Sequence, residues 1–246
     1  MKNNVQIVCP AAGPNDEFKK FKDHKILIKF AKKRFIEWAQ LSRPYDLSKA
    51  IFIFKKKDYK RFKIRNRLNK VFKKKINFFV LDHETKGSPQ TVLKLRKNID
   101  LNKPLIIDLL DQYLDLKNFM NFCKKSKADG VVPIFNSIYP NRGYALINKK
   151  GNITKISEKD KNPISSNSTA CVSYFRKAKF FFDYADKMID LKIRSSNNKY
   201  MISLVYNLMI KNSLKVKSYH CDFISSMGTK ESIDAFYENS RLVEYK

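Results

Sequence analysis

Apolar residues in the first half of the chain gather in short, nearly continuous runs, over 5–9, 51–54, 76–81, 105–110 and 131–135. Runs of this length suit strands buried on both faces and are too short for core helices. Between them lie Lys-rich amphipathic segments. Helices are expected over 35–41, over the stretch where Ile64, Leu68, Val71 and Phe72 share one face, and over 88–97 and 116–127. Strand and helix in this alternation predict an α/β fold with a mixed, mostly parallel sheet flanked by helices. After about Asn136 the pattern changes. Strand candidates at 144–147, 153–157 and 170–175 stand close together, separated by Asn-Lys-Lys-Gly and Asn-Pro turns, which predicts an antiparallel β-ribbon insertion in the second half. Helices over 178–189 and 201–211, a strand over 216–221 and a final helix from Glu231 complete the expectation.

Composition narrows the classes. A chain of 246 residues reads as one domain, and 43% apolar residues with 6 Gly and 8 Pro exclude a disordered, collagenous or linker-like chain. The 51 basic and 23 acidic residues leave a net charge of +28, so an anionic partner or substrate is expected. Cys9, Cys123, Cys171 and Cys221 lie far apart without a CxxC pair and read as reduced cytosolic thiols; His24, His83 and His220 are equally isolated. That spacing excludes a zinc site, and any metal is expected to be hard and held by oxygen. No run approaches the roughly 20 apolar residues of a membrane span or the apolar stretch of a signal peptide, so the expected location is the cytoplasm.

The most basic stretch, 54–79, carries 12 Lys or Arg against one acid, with Tyr59, Phe62, Phe72 and Phe78 interleaved. Basic residues beside stackable aromatics suit single-stranded nucleic acid. Here the apolar residues follow a helix face and then a strand, so a solvated face is the better reading and nucleic acid is not the expected partner. Three other places carry candidate chemistry. The turn Pro10-Ala11-Ala12-Gly13-Pro14 follows the first strand, where small residues let backbone amides approach a phosphate. Ser88 and Pro89 open a helix after Thr85-Lys86-Gly87, as cap and first helical residue. Asp108 and Asp111 end a strand, a position from which one carboxylate holds Mg²⁺ against substrate phosphates.

Taken in order, these pieces form a series: AAG after the first strand, Lys-Ile-Leu-Ile leading to Ile36-Glu37-Trp38, TxGSxQTVL, IIDLLDQYLD, ITKISEK, NxxYxxxxVYNxxI from Asn197 to Ile210, and FxxxxGTxES. Across nearly the whole chain this series resembles the sugar-phosphate nucleotidyltransferase family, in the versions found in bacterial surface-polysaccharide loci. The resemblance implies a GT-A-like, Rossmann-like single domain, with 1–135 as a nucleotide-binding half and 136–246 as an acceptor-binding half. It also implies transfer of a nucleoside monophosphate from an NTP to a phosphorylated sugar or similar small acceptor, with Mg²⁺ as cofactor and pyrophosphate released. By position, Ala11, Ala12 and Gly13 would cradle the nucleotide, and Gly87 and Gln90 would meet its base, with a pyrimidine favoured. Lys25 matches the family's active-site lysine, Asp111 its Mg²⁺-binding aspartate, and Glu158 with Lys159 its Glu-Lys pair at the acceptor. Tyr206 and Asn207 fall on the acceptor side as well. A homo-oligomer is compatible with this reading.

Departures from the family's pattern are as informative. Where GxGxR is expected the chain reads Gly13-Pro14-Asn15-Asp16-Glu17, placing an acid where an arginine would meet the triphosphate. The second metal-binding aspartate aligns with Ser226, and Asp222 lies off register. Either Lys19, Lys20 or another lysine substitutes, or the chain is a catalytically degenerate nucleotide- or sugar-nucleotide-binding member; a GT-A glycosyltransferase that uses Asp111 for its metal is a further alternative.

Overall fold

The computed structural model describes residues 5–14, 18 and 21–236. Along the chain stand β1 (Gln6–Pro10), the short ribbon β2 (Lys29–Phe30) and β3 (Lys33–Arg34), α1 (Phe35–Leu41), β4 (Ile51–Lys55), α2 (Lys56–Arg61), α3 (Ile64–Phe72), β5 (Asn77–Leu81), α4 (Ser88–Leu93) and β6 (Leu105–Asp108). Then come β7 (Gln112–Leu114), α5 (Phe119–Ser126), β8 (Gly130–Asn136), β9 (Gly143–Ile147), β10 (Ile153–Glu158), β11 (Asn167–Thr169), β12 (Val172–Phe175), α6 (Ala178–Asp190), α7 (Ile202–Lys211), β13 (Val216–His220) and β14 (Ile224–Ser226). A last helix occupies 230–236.

One mixed sheet runs β10-β9-β11-β8-β12-β6-β1-β4-β5, with β13 on the other edge of β8. Strands β6, β1, β4 and β5 pair in parallel, whereas β12 is antiparallel to both β6 and β8 and joins the two halves. The ribbon of β9, β10 and β11 is antiparallel throughout, as the second half of the sequence predicts.

Both sheet faces are covered. Strand alternation sends Val8, Ile53, Leu105 and Ile107 into a core with α6 and α7, and sends Cys9, Phe52, Phe54 and Ile106 into a second core with Trp38, Ile64 and Leu68. From β1 the chain builds β4 and β5 on one side and then returns to place β6 on the other, so strand order reverses at β1. The carboxyl ends of β1 and β6 therefore border the crevice in which open α/β sheets bind ligands.

Several boundaries differ from the expectations. The strand expected over 105–110 stops at Asp108, because Leu110 has φ +68° and turns the chain out; the next residues form β7, which pairs with β14 in a separate ribbon. The strand expected over 170–175 is only Val172–Phe175, β12, and the residues just before it form the separate strand β11, Asn167–Thr169, which bonds different partners. The helix expected over 88–97 ends at Leu93, followed by a turn of 3-10 helix, Arg96–Asn98. Lys56–Arg61 is an additional helix.

Candidate active site

Three loops leave the carboxyl ends of β1, β5 and β6. Ala11 carries the pairing one residue past β1, its N–H donating to Ile53 O at 2.8 Å. A Cβ placed on Gly13 would meet no atom within 4 Å, so the turn is open on that side. Asn15, Asp16, Glu17, Lys19 and Lys20 lie outside the described residues, and with them the replacement of the expected arginine.

Lys25 begins a 3-10 turn, Lys25–Leu27, directly after the buried His24. Its ammonium donates to Asp111 Oδ1 at 2.7 Å, across 86 positions of sequence. The two side chains are 16% and 37% exposed, so the pair sits at the surface of the crevice. Asp111 is also tied to the far end of the chain: its carbonyl accepts from Met227 N at 2.8 Å, and its Cβ lies 3.8 Å from where a Cβ on Gly228 would stand. The lysine, the strand-end aspartate and the FxxxxGTxES segment thus meet.

Asp108, three residues earlier, has a different role. It is fully buried and saturated: Arg43 donates through Nε to Oδ2 at 2.7 Å and through Nη2 to Oδ1 at 3.1 Å, and Tyr45 OH and Leu110 N each donate at 2.8 Å. It anchors the turn from which Asp111 projects. Arg43 and Tyr45 were not singled out from sequence, since a lone arginine before Pro44 carries no signal that its partner lies 65 residues away.

The turn that leads into α4 is built on Gly87. At φ +147°, a Cβ there would stand 2.2 Å from the Tyr200 carbonyl oxygen, so a side chain is excluded on both backbone and steric grounds. Gly87 itself caps α4, which places Ser88 and Pro89 inside the helix instead of at the cap and first position. Gln90 turns back toward this loop, accepting from Lys86 N at 2.7 Å.

Glu158 ends β10 with 6% exposure; it accepts from Ser203 Oγ, and burial raises its pKa above the usual carboxylate value. Gly143, opposite it in the ladder, leaves the room: a Cβ would stand 2.4 Å from Glu158 Oε1. Lys159, at φ +64°, donates its N–H to Arg142 O at 3.0 Å. The segment from Ser196 to Ser203 then stitches the two turns together, with Ser196 N on Glu158 O and Tyr200 N on Lys86 O, each at 3.2 Å. A cavity of about 440 Å³ opens between the end of β8 and β14, lined by Asn136, Tyr139, Arg142 and Ser226 among others. A larger cavity, about 700 Å³, lies by Pro44, Tyr113 and Phe223, and none of the residues singled out as site residues lines it.

Two expected acceptor contacts are corrected. Tyr206 has no exposed surface, stacks on Phe175 at 4.7 Å between ring centroids, and donates its hydroxyl to Tyr174 O. Asn207 spends its amide on both backbone groups of Ile156, at 2.7 and 2.8 Å. The stretch that contains them holds α7 against β10, and its polar groups are structural: the Asn207 amide that bridges helix to strand satisfies two backbone groups of Ile156.

All four cysteines are free, and burial raises each thiol pKa, that of Cys221 to about 12, which leaves no activated thiolate among them. Among the described residues no three His, Cys, Asp or Glu side chains converge on one point. Asp111 therefore offers one carboxylate, with the Ser226 hydroxyl nearby. Such a site fits Mg²⁺ that is completed by water and substrate phosphates, not a cation held by protein alone.

No protein-family model matches the sequence, and no curated protein matches it. Solved structures do. A nucleoside-diphosphate-sugar pyrophosphorylase from Vibrio cholerae RC9 superposes with a TM-score of 0.75 over 95% of this chain and 100% of its own, at 19% identity. A Bacillus anthracis protein assigned as a glucose-1-phosphate thymidylyltransferase, solved with sucrose, gives 0.76 over 96% and 95%, at 17% identity. A UDP-glucose pyrophosphorylase complexed with UDP-glucose gives 0.74 over 96% and 99%, at 15% identity. The fold is that of the sugar-phosphate nucleotidyltransferases, a mixed sheet with flanking helices spanning the full length of such proteins.

Proposed function

We propose that the chain transfers a nucleoside monophosphate from an NTP to a phosphorylated sugar or a similar small acceptor, supplying a precursor for surface-glycan synthesis in the cytoplasm. The observation that carries this reading is the Lys25–Asp111 pair, held at 2.7 Å beside the crevice where strand order reverses. In the reaction an acceptor phosphate oxygen attacks the α-phosphorus, and the bond to the β-phosphate breaks as pyrophosphate leaves. Little proton transfer is needed, so positioning and charge neutralisation do most of the work. Backbone amides at Ala11, Ala12 and Gly13 face the triphosphate, Gly87 and Gln90 the base, and Lys25 the charge on the transferring phosphoryl group. Asp111 holds Mg²⁺, which supplies further charge neutralisation when bound. Lys159 meets the acceptor phosphate and Glu158 its hydroxyls, in the acceptor half that begins near residue 136.

A second reading, a nucleotide- or sugar-nucleotide-binding member without turnover, is favoured by Ser226 in place of a second carboxylate and by Glu17 in place of arginine. Pyrophosphate release, measured over the four NTPs with a panel of sugar 1-phosphates and Mg²⁺, separates the two. Release with one pairing, with a pyrimidine NTP expected, supports transfer; nucleotide binding by calorimetry without release supports the second reading; neither binding nor release removes both.

A further inference from the structure

The net charge of the chain is not evenly spread. Twelve of its 51 basic residues, and one of its 23 acids, fall in the 26 residues from Phe54 to Phe79. The structure folds this segment into α2, α3 and the start of β5 at the edge of the sheet. Lys55, Lys56, Arg67 and Lys74 have carboxylate partners. Lys57, Lys60, Arg61, Lys63, Lys70 and Lys75 are exposed and have no ion pair among the described residues. On α2, Lys57 and Arg61 stand four residues apart, an arrangement in which like charges destabilise a helix. Solubility alone does not call for that crowding, and an anionic surface relieves it.

The aromatic residues of the segment decide what kind of anion. Tyr59 and Phe78 pack against Phe54, Phe62 against His24 and Phe72 against Phe52. From outside, Arg61 covers the Phe62 ring at 5.1 Å and Arg65 covers Phe78 at 5.4 Å. None of these four rings is exposed as a platform for a stacked base, and neither of the cavities described above lies here to guide a strand, the two features single-stranded nucleic-acid binding uses. What remains is delocalised positive charge on the outer side of two short helices, with Phe21, 42% exposed, near Asp23, the partner of Arg67. Such a face complements a planar anionic surface, where each basic residue contributes without specific geometry.

We propose that α2 and α3 dock the protein peripherally on a bilayer rich in anionic phospholipid. The face adjoins the candidate site without entering it: Lys55, at the end of β4, pairs with Glu84 in the loop that leads to Gly87. This inference is independent of the proposed reaction, because it draws on none of the residues assigned to it.

Vesicle co-sedimentation tests it, with the full chain, pure phosphatidylcholine vesicles and vesicles containing phosphatidylglycerol, at about 0.1 and 0.5 M salt. Binding is expected to the anionic vesicles at low salt and to fall away at high salt. The triple variant Lys57→Ala, Lys60→Ala, Lys70→Ala should lower partitioning by about a hundredfold, given the usual contribution of each basic residue near an anionic surface. A control triple on the β9–β10 hairpin, Lys149→Ala, Lys150→Ala, Lys155→Ala, should bind as the unchanged protein does. All these side chains are exposed, and matching circular dichroism and melting curves confirm that each variant is folded. The proposal is overturned by absence of vesicle binding, by equal losses in both triples, or by tighter binding of single-stranded DNA or RNA that the first triple abolishes.

Discussion

Asp108 and Asp111 stand three residues apart at the end of one strand, yet the structure gives them opposite surroundings. Asp108 is fully buried with Arg43, both side chains at 0% exposure, and every one of its close contacts is a donor within the protein. Asp111 is more than a third exposed and shares its carboxylate with Lys25 at the lip of a crevice. A charge that is buried must be fully satisfied by its own protein, and once satisfied it has nothing left to offer a ligand. A charge at a surface is cheap to leave half-used. The comparison assigns the first pair to architecture, and the second is the one the proposed function uses.

The largest expected effect breaks the buried pair. Asp108→Ala leaves the Arg43 guanidinium buried without its carboxylate and should cost about 3 to 5 kcal/mol of stability in a urea titration. The double variant Arg43→Met, Asp108→Leu removes both charges and should recover much of that loss. Additive losses, or an Asp108→Ala variant that unfolds at the midpoint of the unchanged protein, would show that the pair is not the anchor described.

Next in size is a pH effect beside Lys25. His24 is buried between Phe54 and Phe62, its Nδ1 lacks a hydrogen-bond partner, and burial lowers its pKa from 6.5 to about 3. The unfolded chain binds this proton below about pH 6.5, whereas the folded chain does so near pH 3. Stability should therefore fall as pH drops through that window, by up to about 1.4 kcal/mol for each pH unit. His24→Phe should flatten this limb of the stability curve, and an unchanged slope would mean that the acid sensitivity comes from other groups.

A smaller shift of opposite sign belongs to Glu158. Its raised pKa means that the folded state holds the proton more tightly than the unfolded chain does, so stability should decline as pH rises from the ordinary carboxylate range through the raised value. Glu158→Gln should be the more stable form at neutral pH and should lose this advantage in acid. Equal stability of the two forms at every pH would place the side chain in water.

Least in stability and most telling for function is Asp111→Asn. An exposed pair contributes up to about 1 kcal/mol, so unfolding should change little while pyrophosphate release, if the proposed reaction is correct, is lost. A variant with full turnover would remove Asp111 from the chemistry. One that unfolds as readily as Asp108→Ala would erase the distinction between the two aspartates.

Much of the architecture was legible in the chain itself. Short apolar runs located β1, β4, β5, β6 and β8 to within a residue or two, because a strand buried on both faces, as four of these are, has few polar positions to disguise it. The Phe35–Leu41 helix and the turn from antiparallel ribbon to α6 and α7 were visible for the same reason of periodicity. The ordered motifs also singled out Lys25 and Asp111, which the fold pairs, and Gly87 and Glu158, whose turns the segment from Ser196 to Ser203 joins. What sequence could not decide was exposure and partnership at single positions. Two aspartates, both at a strand end, look alike until Arg43 arrives from α1's end to bury one of them. Tyr206 and Asn207 read as polar groups awaiting a ligand until β10 and β12 supply their partners. Local pattern carries the free energy of burying a strand or a helix face, and that is summed over many neighbours in sequence. The fate of one polar side chain depends on a few groups tens of residues away, and only the tertiary structure brings them within hydrogen-bonding distance.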